Sequence, residues 1–169
     1  LGTEAMTGVS IVGQLFFVLS LAVFGGLSGP GIYGAQYYGK GDMEGVRNTF
    51  RLKLWIGAFC AILGGIVLSA LAVPLIQLYL RGESAGMDSA GTLEFGMQYL
   101  QIMLLTIIPF AITQVYASSL RETGDSFKPM VAGVISVVVD IVMNYILIYG
   151  KLGMPALGVR GAAIATVMA

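Results

Sequence analysis

PMVAGVISVVVDIVMNYILIYG, residues 129–150, carries a single charged side chain, Asp140, near its middle. No other charge lies between Lys128 and Lys151. The stretch is long enough to cross a bilayer as a helix, which takes about 20 residues. A carboxylate at the centre of such a helix costs about 2.5–3.5 kcal/mol, so we expect Asp140 to face a cavity and not lipid. Carboxylates in this position typically mark an ion or proton pathway.

The rest of the sequence has the same apolar character. It is 57% hydrophobic and 11% charged, with a mean hydropathy of +0.87. Three further uncharged runs occupy residues 5–39, 54–80 and 95–120. A soluble helix would present polar residues on one face every three or four positions, and these runs present almost none. The sequence therefore predicts an all-α fold, a polytopic transmembrane helix bundle in a cell membrane.

We predict four complete spans and one incomplete span. The complete spans cover about 7–38, 54–80, 95–118 and 130–150, and the fifth begins near 158 and is cut short at Ala169. The chain is therefore expected to be an excerpt of a longer polypeptide. The first span is too long to cross straight, and Pro30 in a glycine-rich stretch gives it a reason to bend.

The basic residues between the spans predict an orientation. One side of the membrane receives six of them and the other side three. By the positive-inside rule the richer side is cytoplasmic. The cytoplasmic group is Lys40, Arg47, Arg51 and Lys53 in the loop 39–53 with Arg121 and Lys128 in the loop 119–129, and the outer group is Arg81, Lys151 and Arg160.

Polar residues of different spans lie at one depth in this arrangement. Gln14, Tyr99, Asn144 and Thr166 are each five to eight residues from the outer ends of their spans, and Asp140 lies one turn deeper than Asn144 on the same helical face. A shared, water-filled cavity in the outer half of the bilayer would explain this layer. Hydrogen bonds between packed helices, or an interfacial position for Tyr99, would also explain it, and both alternatives remain open.

Several other chemistries are excluded by composition. The chain has no histidine, and its single cysteine, Cys60, lies in an apolar run, so neither a usual zinc site nor an imidazole base is available. The glycine-rich runs 25–34 and 150–161 match no nucleotide-binding motif. The net charge is zero, and no basic aromatic stripe is present for nucleic acid. We expect no enzyme activity, no cofactor and no nucleic-acid partner.

Four segments resemble the multidrug and toxic compound extrusion (MATE) family over essentially the whole chain. They are LGTEAMTGVSIVGQLFF (1–17), AQYYGKGDMEGVRNTFRLK (35–53), SLRETGDSFKPM (119–130) and LGVRGAAIATVMA (157–169). The resemblance implies helices 2 to 6 of a twelve-helix transporter with two six-helix lobes, in a bacterial or archaeal inner membrane. The remaining half of the transporter and the lipid bilayer would then be its partners.

The resemblance also implies an activity and a site. Similar proteins export organic cations and other amphipathic drugs in exchange for H⁺ or Na⁺. In prokaryotic relatives an acidic residue of the first helix acts with polar residues of later helices, and the motifs place Tyr99, Asp140, Asn144 and Thr166 at such later positions. Some proton-coupled relatives have the asparagine first and the acid four residues later, which is the reverse of the order here. A sodium ion would use oxygens of Asp140, Asn144 and Thr166.

Elementary electrostatics then suggests how Asp140 would couple two ions. Burial disfavours a charged carboxylate and a bound cation favours it, so a proton and a cationic drug compete for the group. Rocking of two lobes about the cavity would give alternating access.

One alternative is a lipid-linked oligosaccharide flippase, which should carry cationic residues inside its spans, where we expect none. A membrane-embedded enzyme would need a catalytic pair, and a purely structural membrane subunit would not need Asp140.

Overall fold

The computed structural model describes residues 2–83, 89–150 and 156–169. Lys151 therefore lies outside the described residues. The described residues form helices and turns without a strand, which confirms the all-α prediction. The helices are α1 (Thr3–Gly39), α2 (Met43–Ala70), α3 (Ala72–Glu83), α4 (Ser89–Met103), a 3₁₀ turn (Leu104–Thr106), α5 (Ile107–Glu122), α6 (Phe127–Tyr149) and α7 (Val159–Met168).

Four helical segments are long and apolar enough to cross a membrane. They are Thr3–Gly39, Met43–Ala70, Gly91–Glu122 and Phe127–Tyr149, and α7 is a shorter apolar helix. Together they identify a multi-pass membrane protein. The limits predicted above for the individual spans stay a prediction.

Proline acts differently at two places in the chain. In α1, Pro30 lies inside a helix that continues for nine more residues to Gly39. The predicted span 54–80, by contrast, is divided at Leu71 into α2 and α3. Pro74 lies in the first turn of α3 and cannot donate a backbone hydrogen bond to the carbonyl of Ala70, so a new helix begins there.

A glycine and an aspartate make the turn between α1 and α2. Gly41 adopts a left-handed conformation with φ of 75°, which ends α1. The backbone N–H of Asp42 donates to the carbonyl of Tyr37 at 2.9 Å. The carboxylate of Asp42 then accepts a hydrogen bond from the backbone N–H of Gly45 at 2.9 Å, which caps the start of α2.

The turn between α5 and α6 repeats this construction. Gly124 has φ of 83°, and the N–H of Asp125 donates to the carbonyl of Leu120 at 2.9 Å. The Asp125 carboxylate accepts from the N–H of Lys128 at 3.2 Å and pairs with its ammonium at 2.6 Å. These Lys128 contacts lower the pKa of Asp125 below its ordinary value. The Gly-Asp dipeptides in 35–53 and 119–130 are thus two copies of one helix-reversing turn.

Two packed units make up the chain. Unit 1 comprises Leu1–Phe17, Gly65–Thr106 and Ser136–Ala169, and unit 2 comprises Val18–Gly64 and Ile107–Ile135. Unit 1 has the larger group of buried apolar side chains, formed by Ala5, Ile11, Val12, Ala72, Ile76, Tyr99, Leu100, Met103, Val159 and Ala163. In unit 2, Val23, Leu27 and Val115 form a smaller group.

Helices α1 and α4 approach closely at Gly8 in unit 1. A Cβ atom at Gly8 would lie 2.9 Å from the backbone nitrogen of Gly96 and 2.9 Å from the carbonyl oxygen of Thr92. A Cβ atom at Gly96 would lie 3.4 Å from the nearest atom, the Cδ1 of Ile76. This crossing therefore requires a glycine on α1, whereas α4 has room for a methyl group.

We predict that Gly8→Ala destabilises the protein by about 1–3 kcal/mol, because backbone atoms cannot move aside without separating the two helices. Gly96→Ala makes the same chemical change at the same crossing and should be close to neutral. Thermal unfolding of the two purified variants in detergent measures both effects. Equal melting temperatures for the two variants would show that Gly8 does not limit the approach of the helices.

Candidate functional site

Helix α6 has one inward face in unit 1. Ser136, Asp140, Met143, Asn144 and Leu147 are buried or half-buried, and they follow the spacing of a single helical stripe. The apolar residues between them are largely exposed, as expected for a helix surrounded by lipid. Asp140 therefore lies on the buried stripe of α6, which packs inside unit 1.

One oxygen of Asp140 is buried and unpaired. Its Oδ1 atom has no hydrogen-bond partner among the residues that the structure describes. Buried polar atoms nearly always have a partner, so an exception calls for an explanation such as a bound ion or a proton.

Tyr99 interacts with Asp140 of α6 and with Thr166 of α7. It lies in α4, is 7% exposed and packs in the main apolar group of unit 1. Its hydroxyl interacts with the side chain of Thr166 in α7 and, electrostatically, with the carboxylate of Asp140. The Thr166 hydroxyl itself donates to the carbonyl of Ala162 at 3.1 Å. Helices α4, α6 and α7 thus each supply one polar group, Tyr99, Asp140 and Thr166.

The other two predicted residues are placed less closely. Asn144 is half-buried, one turn along the inward face from Asp140. Gln14 is exposed on α1, and the described residues offer its amide no hydrogen bond. The structure thus brings together Tyr99, Asp140 and Thr166, with Asn144 alongside, and leaves Gln14 outside this group. The role of all five residues in binding stays a prediction.

A polar bridge missed by the sequence analysis lies next to Tyr99. The Nε of Arg160 in α7 donates to the side-chain oxygen of Gln98 in α4 at 3.3 Å. The amide nitrogen of Gln98 donates in turn to Glu94 at 3.2 Å. The bridge fixes α7 against α4, the two helices that carry Thr166 and Tyr99. The sequence signal for part of this bridge was the four-residue spacing of Glu94 and Gln98, which places both side chains on one face of a helix.

A second buried polar cluster lies in unit 2. Lys53 is completely buried, and its ammonium forms an ion pair with Oε2 of Glu122. It also donates to the hydroxyls of Ser118 and Ser119, at 3.2 and 3.4 Å. The Ser118 hydroxyl donates to Oε1 of Glu122 at 2.7 Å. Both oxygens of this carboxylate therefore have partners.

The placement of Lys53 corrects the sequence analysis. We counted it among loop residues, but it lies ten residues inside α2, which begins at Met43. Lys53 is thus a cationic residue within a helix and not in a loop, and Glu122 neutralises its charge. The available signal was a buried stripe in α2 in which every fourth residue faces inward: Thr49, Lys53, Gly57 and Ala61.

Two glycines of α1 make room for the carboxylate of Glu122. A Cβ atom at Gly31 would lie 2.5 Å from Oε1, and one at Gly34 would lie 2.7 Å from Oε2. The ion pair is therefore enclosed by α1, α2 and α5. In this part of the chain the three helices are held together by charge as well as by apolar packing.

The sequence model of the MatE family matches residues 1–146 of this chain. The chain belongs to the MatE family. It is 32% identical over 168 residues to the "Probable multidrug resistance protein NorM" of Thermotoga maritima, covering 98% of this chain and 34% of that protein. The chain thus spans about a third of the length of the curated relative it matches.

Solved structures of the family agree with the fold. An inward-facing multidrug resistance MATE family transporter of the MOP superfamily aligns with a TM-score of 0.73 and 27% identity, covering 99% of this chain and 36% of that one. An outward-facing one aligns with a TM-score of 0.76 and 24% identity, covering 99% and 35%, and shows a likeness of fold alone. The resemblance inferred from the sequence is confirmed, and these relatives are transporters and not enzymes.

We predict that breaking the buried pair of this MatE protein is costly. Lys53→Met and Glu122→Gln should each lower the free energy of unfolding by about 3–5 kcal/mol, because each leaves one buried group without its partner. The double variant should lose less than the sum of the two. Thermal or denaturant unfolding of the purified proteins measures the cycle.

The exposed pair Asp125–Lys128 provides a matched control. Its lysine side chain is 71% exposed, so Lys128→Met should cost less than about 1 kcal/mol. Additive effects of Lys53→Met and Glu122→Gln, or losses as small as the control's, would contradict a buried and coupled pair.

Proposed function

We propose that the protein acts as a secondary active antiporter that exports cationic or amphipathic compounds in exchange for H⁺ or Na⁺, with Asp140 as the group that exchanges the two. The observation that carries the proposal is the buried Oδ1 of Asp140, which has no hydrogen-bond partner among the described residues. A transported compound and a coupling ion both need a site that is polar but not already satisfied by the protein.

A comparison of the two inward-facing carboxylates supports this assignment. Glu122 has a lysine on one oxygen and a serine hydroxyl on the other, so its charge is balanced and both of its oxygens have partners. Asp140 has an oxygen that no described residue contacts through a hydrogen bond. Since desolvating an unpaired carboxylate is expensive, its persistence inside an apolar helix is typical of function.

The neighbours of Asp140 supply the rest of the proposed site. The phenolic oxygen of Tyr99, which lies near both Thr166 and Asp140, can accept a hydrogen bond or contact a cation. Asn144 adds an amide one turn away on α6. A compound with a cationic group and an aromatic or aliphatic body would meet one carboxylate, neutral polar groups and the apolar lining of unit 1.

Competition at Asp140 would couple the two fluxes. A bound cation stabilises the carboxylate, and a bound proton removes the charge that attracts the cation. Each ligand therefore expels the other, and only one crosses in each direction. Rocking of two lobes about the site would let it reach both sides of the membrane in turn.

Sodium is the other possible coupling ion. Asp140, Asn144 and Thr166 carry oxygens that could coordinate it. Within the described ranges no three or more His, Cys, Asp or Glu residues cluster, so a Na⁺ site would rely on neutral oxygens around one carboxylate. The Thr166 hydroxyl already donates its proton to the carbonyl of Ala162, so it would meet an ion through its oxygen lone pairs.

A lipid-linked oligosaccharide flippase fits these groups less well. A pyrophosphate needs cationic side chains at its site, whereas the group around Asp140 consists of a carboxylate, two hydroxyls and an amide. The buried Lys53 is neutralised by Glu122 and lies in unit 2. The charge of the proposed site thus favours a cationic compound over an anionic one.

We predict that Asp140→Asn in the complete protein lowers export of a cationic dye by roughly tenfold or more, because the amide can neither release a proton nor balance a cation. Efflux from cells and dye-driven ion flux in proteoliposomes, each run in H⁺-only and Na⁺-containing buffers, measure the loss and identify the ion. Asp125→Asn removes an exposed carboxylate and serves as the matched control. Efflux by Asp140→Asn equal to that of the control, at equal expression, would refute the proposed role.

A further inference from the structure

A groove runs along the outer surface of unit 2 between α2 and α5. It has a volume of about 500 Å³, and one end of it is marked by Arg51. Apart from that arginine its lining is apolar: Leu54, Trp55, Gly57, Ala58, Ala61, Ile62, Ile108, Ala111, Ile112 and Val115. The small side chains of α2, at Gly57, Ala58 and Ala61, leave room for a hydrocarbon chain to lie against the helix.

The groove has the length of one leaflet. From Arg51 to Ile62, helix α2 rises about 16 Å at 1.5 Å per residue. Half of a hydrocarbon core about 30 Å thick is about 15 Å. Beside Arg51, Trp55 is 77% exposed, and tryptophan is enriched at the boundary between headgroups and hydrocarbon. The groove therefore extends from this boundary towards the middle of the bilayer.

A basic pocket adjoins the apolar groove at Arg51. It has a volume of about 330 Å³, and Arg51 lines both cavities. Three cationic side chains, Arg47, Arg51 and Lys53, line the pocket together with the hydroxyl-bearing residues Thr49, Ser119 and Thr123 and the carboxylate of Glu122. Cations and hydroxyls in this combination suit the oxygens of a phosphate group.

Two of the three cationic side chains of this pocket form no ion pair within the described part of the chain. Lys53 is paired with Glu122, but within the described part of the chain neither Arg47 nor Arg51 has an ion-pair partner. The two arginines are exposed and lie one helical turn apart on the same face of α2. Two guanidinium groups are thus available for one anionic group.

We propose that the pocket and the groove together bind an anionic phospholipid of the cytoplasmic leaflet. The phosphate lies between Arg47 and Arg51, and one acyl chain lies in the groove between α2 and α5. Basic pockets between helices on the cytoplasmic side are the usual sites of such lipids. Without the buried Lys53 the predicted basic residues still number five on this side against three on the other, so we expect this end of α2 on the cytoplasmic side. The lining residues of the site belong to unit 2, whereas Asp140 belongs to unit 1, and the proposal does not depend on the compound transported.

Charge complementarity favours a lipid over a protein helix as the occupant. An apolar helix would fill the groove but would leave both guanidinium groups without an anion. A soluble phosphate would satisfy the arginines but would leave the groove empty. An anionic phospholipid satisfies both parts of the surface at once.

Native mass spectrometry of the complete protein, purified in detergent and titrated with defined lipids, tests the proposal. Phosphatidylglycerol should bind more tightly than phosphatidylcholine with the same acyl chains. Arg47→Gln/Arg51→Gln should weaken phosphatidylglycerol binding by roughly tenfold or more, because each basic residue near an anionic headgroup contributes substantially. The matched control is Lys40→Gln/Arg121→Gln, which removes two charges from the same predicted side outside both cavities and should change binding less than about twofold.

A second pair of variants tests the acyl-chain groove. Ala58→Leu fills the exposed floor of the groove without a charge change and should weaken binding of phosphatidylglycerol. Ala70→Leu makes the same change at an exposed position outside the groove and should leave binding unaltered.

Three results would overturn the proposal. Equal affinity for the two lipids, or equal effects of the two double variants, would mean that the arginines recognise no headgroup. Complete displacement of the lipid by millimolar glycerol phosphate would identify a free-phosphate site. Unchanged lipid binding by Ala58→Leu, together with a lowered melting temperature, would mean that a protein helix occupies the groove.

Discussion

Inside a bilayer, lipid supplies no hydrogen bonds, so every polar group must find its partners within the protein. Most of this chain obeys that constraint through helices, whose backbone groups pair with one another. Glu122 obeys it through Lys53 and Ser118, which satisfy both of its oxygens. Asp140 departs from it, because its Oδ1 is buried without a partner among the described residues. In our proposal, this difference separates a structural charge, that of Glu122, from one available to a ligand, that of Asp140.

The same constraint explains how the helices are joined and packed. The turns at Gly41-Asp42 and Gly124-Asp125 satisfy the free backbone groups of a helix end and of the next helix start within a few residues. Close approach replaces the hydrophobic driving force that lipid removes, and Gly8 permits such an approach between α1 and α4.

The fold could be predicted from the sequence because each spanning helix needs a long run of uncharged residues, and such runs are visible in the sequence. The runs that became α1 and α6 were long enough to identify without neighbours, and the family motifs agreed. The division of the chain at Leu71 escaped prediction because hydropathy does not register the missing N–H of Pro74. Lys53 was misplaced because a charge was treated as the end of a span, although its ion-pair partner in α5 lies 69 residues away in sequence. The Gln14 side chain is exposed. Helical rise predicts a depth for it, but the direction in which it faces depends on neighbouring helices that the sequence does not position.

Exchange of a cation for a coupling ion at Asp140 can be measured directly by calorimetry. Binding of a cationic drug to the complete, purified protein is followed in sodium-free buffers of different protonation enthalpy, which gives the number of protons released. For H⁺ coupling we expect proton release from the wild type and none from Asp140→Asn; for Na⁺ coupling we expect added sodium to weaken drug binding in the wild type alone. Drug binding of equal affinity in both proteins, insensitive to protons and to sodium, would contradict a shared site at Asp140.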